Sequence, residues 1–269
     1  MPLIHEKLFA AKKTVVLTSA TLAVNRDLKY TADKFLLAPE EYLASINASP
    51  FDYAHQSLIA IPNDHKDYSK TSDFEYTRTV VNDLKQLIPA VDGDMLVLFT
   101  SYAMLNKVQQ ALKEDQRLSD YRILAHGQDG SRTSLLEALQ DGGKTVLLGA
   151  NSFWEGVDVK GASLRTVVIT KLPFTPPTMP VESARNDLLK SQGKNAFAAN
   201  SLPQAVLRFR QGCGRLIRSA SDRGCIIILD NRVLTKSYGR TFLNSLPEQP
   251  VWTDSVANLA RKLKDWHGR

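Results

Sequence analysis

The stretch QAVLRFRQGCGRLIR at 204–218, followed after a short polar turn by CIIILD at 225–230, sets a helical pattern directly ahead of a strand. CIIILD is apolar at successive positions rather than at alternate ones. A strand of that kind is buried on both faces, which requires helices above and below the sheet that holds it. Working outward, the same pattern recurs at TVVLT (14–18), SLIAI (57–61), MLVLF (95–99), YRILA (121–125), TVLLG (145–149) and RTVVIT (165–170). Between these runs lie helical patterns. Residues 73–88 follow Ser72 as a cap and bring Phe74, Val80, Val81, Leu84 and Leu87 near one face, and 102–113, 133–139 and 254–266 have similar spacing. Buried strands alternating with helices predict an α/β fold, a mostly parallel sheet covered on both faces. Residues 22–56 lack a clear pattern and read as a connection or insertion. PFTPPTMP at 173–180 has four prolines in eight residues and reads as a loop, because proline lacks the N–H that ladders and helices need.

The chain has 269 residues, 43% of them hydrophobic and 23% charged, enough to bury a sizeable core in one large or two small domains. The formal net charge of +6 leans toward polyanionic partners without requiring them. Two cysteines, Cys213 and Cys225, supply neither a disulfide framework nor ligands for zinc or an iron–sulfur cluster, and both read as small hydrophobes in or near the core. No apolar run reaches the roughly 18 residues that span a bilayer, and residues 1–20 lack the pattern of a signal peptide. A cytoplasmic protein without a membrane segment or metal site is the expectation, with a monomer as the default.

Gly143, Lys144 and Thr145 spell the end of a phosphate loop, but Ala138 occupies the position of its first glycine, and the triplet precedes a strand instead of following one. Gly193 and Lys194 fail in the same way, with Leu188 at the glycine position. No Asp-Glu dipeptide is present for magnesium. The chain alone is therefore expected not to hydrolyse ATP.

Gln211, Gly214, Arg215 and Arg218 form Q-x-x-G-R-x-x-R. The two arginines, three apart on a helix, project from one face, where guanidinium groups can reach terminal phosphates and neutralise charge developing during transfer. Gly212 and Gly214 permit close backbone approach. The bland alternative is a solvated basic face shared with Arg208, Arg210 and Arg223.

Q-x-x-G-R-x-x-R ahead of a buried strand resembles motif VI of superfamily-two helicases, and three more stretches fall in the order such enzymes require. TSAT at 18–21, at the end of an expected strand, looks like motif III, which couples the two motor domains. LVLFTSYAML at 96–105 and SFWEGVDVKG at 152–161 are similar to motifs IV and V of the XPD and DinG branch, and KLPFTPPTMPVESAR at 171–185 resembles the proline-rich connection of DinG proteins. Taken singly, each stretch could be an ordinary strand end, helix cap or polar loop. Their joint order resembles the C-terminal motor half of a DinG-type (XPD-like) DNA helicase.

The resemblance implies one RecA-like domain over 1–269. It implies that Arg215 and Arg218 act as catalytic contacts to the γ-phosphate, with Arg218 the finger proper, and that Gln211, Gly214, Glu155, Gly156 and Asp158 bind nucleotide. Thr100, Ser101 and Ser152 would grip the phosphates of single-stranded DNA, Ser19 and Thr21 would couple the motor domains, and Trp154 would stack on a base or pack in the core. ATP and Mg²⁺ would be held mainly by an N-terminal motor domain, the partner within the same polypeptide. Other readings are a stand-alone nucleic-acid-binding or interaction module, half of an RNA helicase, or a nucleotide-dependent enzyme of another α/β family, the last disfavoured by the lack of G-x-G-x-x-G.

Overall fold

The computed structural model describes residues 2–24, 26–65, 67–91, 93–155 and 164–267. Among them the apolar runs form the strands β1 (Ser57–Pro62), β2 (Asp94–Phe99), β3 (Arg122–Ala125), β4 (Thr145–Ala150), β5 (Leu164–Ile169), β6 (Gly224–Ile228) and β7 (Val251–Asp254). These make one seven-stranded sheet in the order β3-β4-β2-β5-β6-β1-β7, with every pairing parallel. The helices are α1 (Lys29–Phe35), α2 (Asp73–Val91), α3 (Tyr102–Lys113), α4 (Arg132–Gln140), α5 (Pro180–Ser191), α6 (Leu202–Cys213) and α7 (Val256–His267), with shorter turns between.

Alternate residues of the central strands serve different cores, because successive side chains leave a strand on opposite sides. Met95, Val97 and Phe99 join Leu58 and Ala60 beneath α2, α3 and α7. Leu96 and Leu98 join Ile59 and Ile61 beneath α4 and α6. This double burial explains why the runs show no alternation. It also puts α3, which follows β2, and α4, which precedes β4, on opposite faces of neighbouring strands.

Three expectations are corrected. TVVLT is irregular and Val16 is 80% exposed; a β-branched run becomes a strand only beside another strand that takes its N–H and C=O groups, and none lies there among the described residues. Residues 251–254, not read as a strand, form β7 against β1 at the sheet edge. Pro180 begins α5 instead of closing the loop, at a position where a missing N–H costs nothing. Cys213 and Cys225 are buried and unbonded, as anticipated.

Candidate nucleotide and single-strand interface

Helix α6 buries Ala205, Val206, Phe209, Gly212 and Cys213. At Gly212 the backbone passes so close to the sheet that a Cβ would stand 2.9 Å from Leu98 Cδ1 and 3.0 Å from Trp154 Cε3. The helix stops at Cys213, with Gly214 as its C-cap donating its N–H to the Arg210 carbonyl at 2.8 Å. Arg215 and Arg218 therefore do not share a helical face, contrary to expectation. Gly214 closes the helix, and beyond it the carboxylate of Asp222 accepts the N–H groups of Arg218 (2.7 Å) and Ser219 (2.9 Å) and holds the chain in a turn. Gln56 braces that turn, its Nε2 donating to the carbonyls of Ser219 and Asp222, both at 2.9 Å. Arg215 is buried and Arg218 exposed, and Arg218 Nε donates to the Arg215 carbonyl at 3.4 Å.

Both arginines nevertheless line one groove of about 710 Å³ between the end of α6 and residues 17–23 and 43–53. TSAT forms the opposite wall, as a turn and not a strand end; Thr21 N donates to Ser19 Oγ at 3.2 Å. Gln211 Nε2 donates to Thr21 Oγ1 at 3.1 Å, and Arg210, missed by the sequence reading, donates from Nη1 to the Ala23 carbonyl at 3.3 Å. The two motifs thus meet directly. Among the described residues that line this groove there are three arginines and no Asp or Glu. Burial lowers the pKa of all three. Arg215 is pushed down to about 10 by burial and then by the nearby Arg132 charge, with Glu155 opposing; for Arg210 and Arg218 burial outweighs the opposing effects of Tyr53 and Asp222 respectively. A site that desolvates cations in this way favours an anionic occupant such as a phosphate.

Glu155 lies outside the groove, its carboxylate 3.5 Å from Arg208 Nε and its carbonyl accepting from Arg132 Nη2 at 2.9 Å. Gly156 and Asp158 lie outside the described residues. Trp154 is buried, and its indole N–H donates to the Phe99 carbonyl at 2.7 Å, so it packs in the core and is closed to a base.

A second cluster lies at the carboxyl ends of β2 and β4, which are neighbours in the sheet. Thr100 follows β2, and Ser101 caps α3, its Oγ accepting the Met104 N–H at 3.2 Å. Ser152 is exposed in the turn Asn151–Phe153 after β4. The amino end of α3 and these hydroxyls can donate to phosphate oxygens. Among the described residues no group of three or more His, Cys, Asp or Glu is placed to hold a metal ion, and no helix is long and apolar enough to cross a membrane.

Residues 84–249 match the family of helicase C-terminal domains. Among curated proteins, the chain is 41% identical over 256 residues to the Bacillus subtilis 3′-5′ exonuclease DinG, covering 94% of this chain and 28% of that one. It is 37% identical over 248 residues to the Escherichia coli ATP-dependent DNA helicase YoaA, covering 92% and 37%. It is 33% identical over 256 residues to the Mycobacterium tuberculosis ATP-dependent helicase DinG, covering 93% and 37%. The chain thus spans about a third of the length of these relatives. Among solved structures, an XPD helicase superposes with a TM-score of 0.55 at 20% identity over 73% of this chain and 36% of that one. The Xpd4 protein of S. tokodaii does so with 0.51 at 19% identity over 74% and 39%. These likenesses establish the RecA-like helicase fold, and with the match across more than half of its length, the chain belongs to the helicase C-terminal domain family.

Proposed function

We propose that this chain is the second motor domain of a DinG-type, ATP-dependent DNA helicase, and that the groove between TSAT and the end of α6 receives the terminal phosphates of ATP carried by an N-terminal motor domain. The observation that carries this reading is the Gln211–Thr21 hydrogen bond, which joins two motifs separated by most of the sequence on a groove rich in arginine and free of carboxylates among its described lining residues. Arg215, desolvated in the wall, is suited to hold negative charge in place. Arg218, exposed at the rim, is suited to reach a γ-phosphate as the charge on it develops. The described lining offers phosphate donors and no carboxylate for Mg²⁺, so the cation would be held by the other domain together with the nucleotide. Bound ATP supplies the transferable phosphoryl group; this chain orients it and stabilises its charge.

Gln211 and Thr21 would pass the state of the groove to TSAT, and Thr100, Ser101 and Ser152 would hold single-stranded DNA by its phosphates. Closing and opening of the interdomain cleft would then move the protein along the strand, in the 5′ to 3′ direction implied by the family resemblance. The relatives named ATP-dependent DNA helicases support DNA as the substrate. Without the other domain the chain would not turn over ATP. The test is Arg218→Ala in the intact polypeptide: DNA-stimulated ATP turnover should fall by a factor of about 10³ with DNA binding retained, and turnover at the wild-type level would remove Arg218 from the role of finger.

A further inference from the structure

Three rings from three strand ends form a run whose outer members, Tyr102 and Phe153, directly follow Ser101 and Ser152 in the chain. Tyr102 opens α3 after β2, His126 follows β3, and Phe153 ends the turn after β4. The Tyr102 and His126 centroids are 5.3 Å apart with planes at 46°, and His126 meets Phe153 at 4.7 Å and 60°. Phe153 is wholly buried whereas Tyr102 is 38% exposed, so the run has an anchored end and an open end.

Its geometry is fixed from several sides. His126 Nδ1 lies 3.2 Å from the Ala150 carbonyl oxygen and 3.0 Å from the Tyr102 hydroxyl. A carbonyl only accepts, so the ring's hydrogen sits on Nδ1 and the phenol oxygen is its second acceptor. That leaves the phenolic hydrogen for an acceptor on the solvent side. Below the tyrosine, Gly127 turns the chain at φ 86°, and a Cβ there would meet Tyr102 Cε1 at 3.6 Å. Arg132 stands 6.0 Å from the Phe153 centroid and adds positive charge at the anchored end. An aromatic ring held on one side, open on the other and flanked by phosphate donors is the arrangement by which proteins hold single strands without reading sequence: donors track the backbone and rings stack on bases.

We infer that Tyr102, braced by His126 and Phe153, is a base-stacking platform for single-stranded DNA at these strand ends. The inference rests on the strand-gripping role proposed above for Thr100, Ser101 and Ser152, and adds a contact to bases where those residues contact phosphates. The test is the affinity of the 269-residue chain for a labelled oligothymidylate and for an abasic deoxyribose-phosphate oligomer of equal length. Tyr102→Phe should bind both like wild type. Tyr102→Leu, which keeps apolar bulk and removes the π face, should lose roughly tenfold on oligothymidylate and nothing on the abasic strand; Tyr102→Ala should do the same, with folding checked by thermal melting. Equal losses on both strands would make the ring a mere support and overturn the platform. Wild-type binding by Tyr102→Leu, with Ser152→Ala still weakened, would overturn the platform and leave the phosphate grip standing. No binding of either strand by the wild-type chain would overturn both.

Discussion

Gln211 Nε2 and Thr21 Oγ1 share a 3.1 Å hydrogen bond across 190 positions of sequence. Because it is half-buried and links two segments far apart in sequence, its removal should show as coupling and not merely as two local losses. Thr21→Val and Gln211→Leu should each lower the urea midpoint, and the double variant should cost less than their sum by about 0.5–1.5 kcal/mol. Additive losses would show that the two walls of the groove are energetically independent.

Arg215 holds a charge that folding partly removes from water, with its pKa drawn down to about 10. Between that value and the ordinary arginine range the unfolded chain holds more protons, so stability gained from relieving this burial appears as pH rises above about 10 and is absent below it. Arg215→Met, which keeps length and discards charge, should therefore lose the rise in stability that wild type shows above about pH 10. In the intact polypeptide the same change should reduce DNA-stimulated ATP turnover by about 10³. Marked destabilisation would instead assign the guanidinium a structural role.

Asp222 is pushed upward by burial but more strongly downward by hydrogen bonds from the Ser219 side chain and the N–H groups of Arg218 and Ser219, so its pKa lies below the ordinary carboxylate value. A carboxylate with a lowered folded pKa contributes stability that is fully present above about pH 4 and lost as pH falls through the folded value. Asp222→Ala should cost about 1–3 kcal/mol at pH 7 by leaving the turn's donors unsatisfied. Its urea midpoint should also fall less steeply than that of wild type in acid. Parallel acid profiles for the two proteins would show that Asp222 does not hold the turn through its charge.

The sheet was legible because its central strands are buried on both faces and so read as unbroken apolar runs, MLVLF and CIIILD above all. TVVLT has the same composition, but strand formation depends on a neighbour that local composition does not reveal. VWTD at the sheet edge is only half-covered and too short to stand out from the helical pattern that follows it. At the site, order and spacing pointed to the two segments that meet as Gln211 and Thr21. The turn that follows α6 was not legible, since the Asp222 carboxylate that holds it comes from beyond the motif and Gln56 braces it from a region without pattern. Trp154 was open to two readings until the Phe99 carbonyl was placed beside its indole N–H. The ring run from Tyr102 to Phe153 was invisible because its members come from three separate connections.

Strand β1 lies between β6 and β7, with Ile59 opposite Ile226 on one side and Val251 on the other. During synthesis a nascent chain therefore carries an unpaired, apolar SLIAI segment until residues 224–228, more than 160 positions later, have left the ribosome. Closure of the sheet is a late event with a large loop-closure cost, which predicts slow completion of folding. In that interval the same segment is the part of the chain most open to capture by a chaperone or by another unfinished copy.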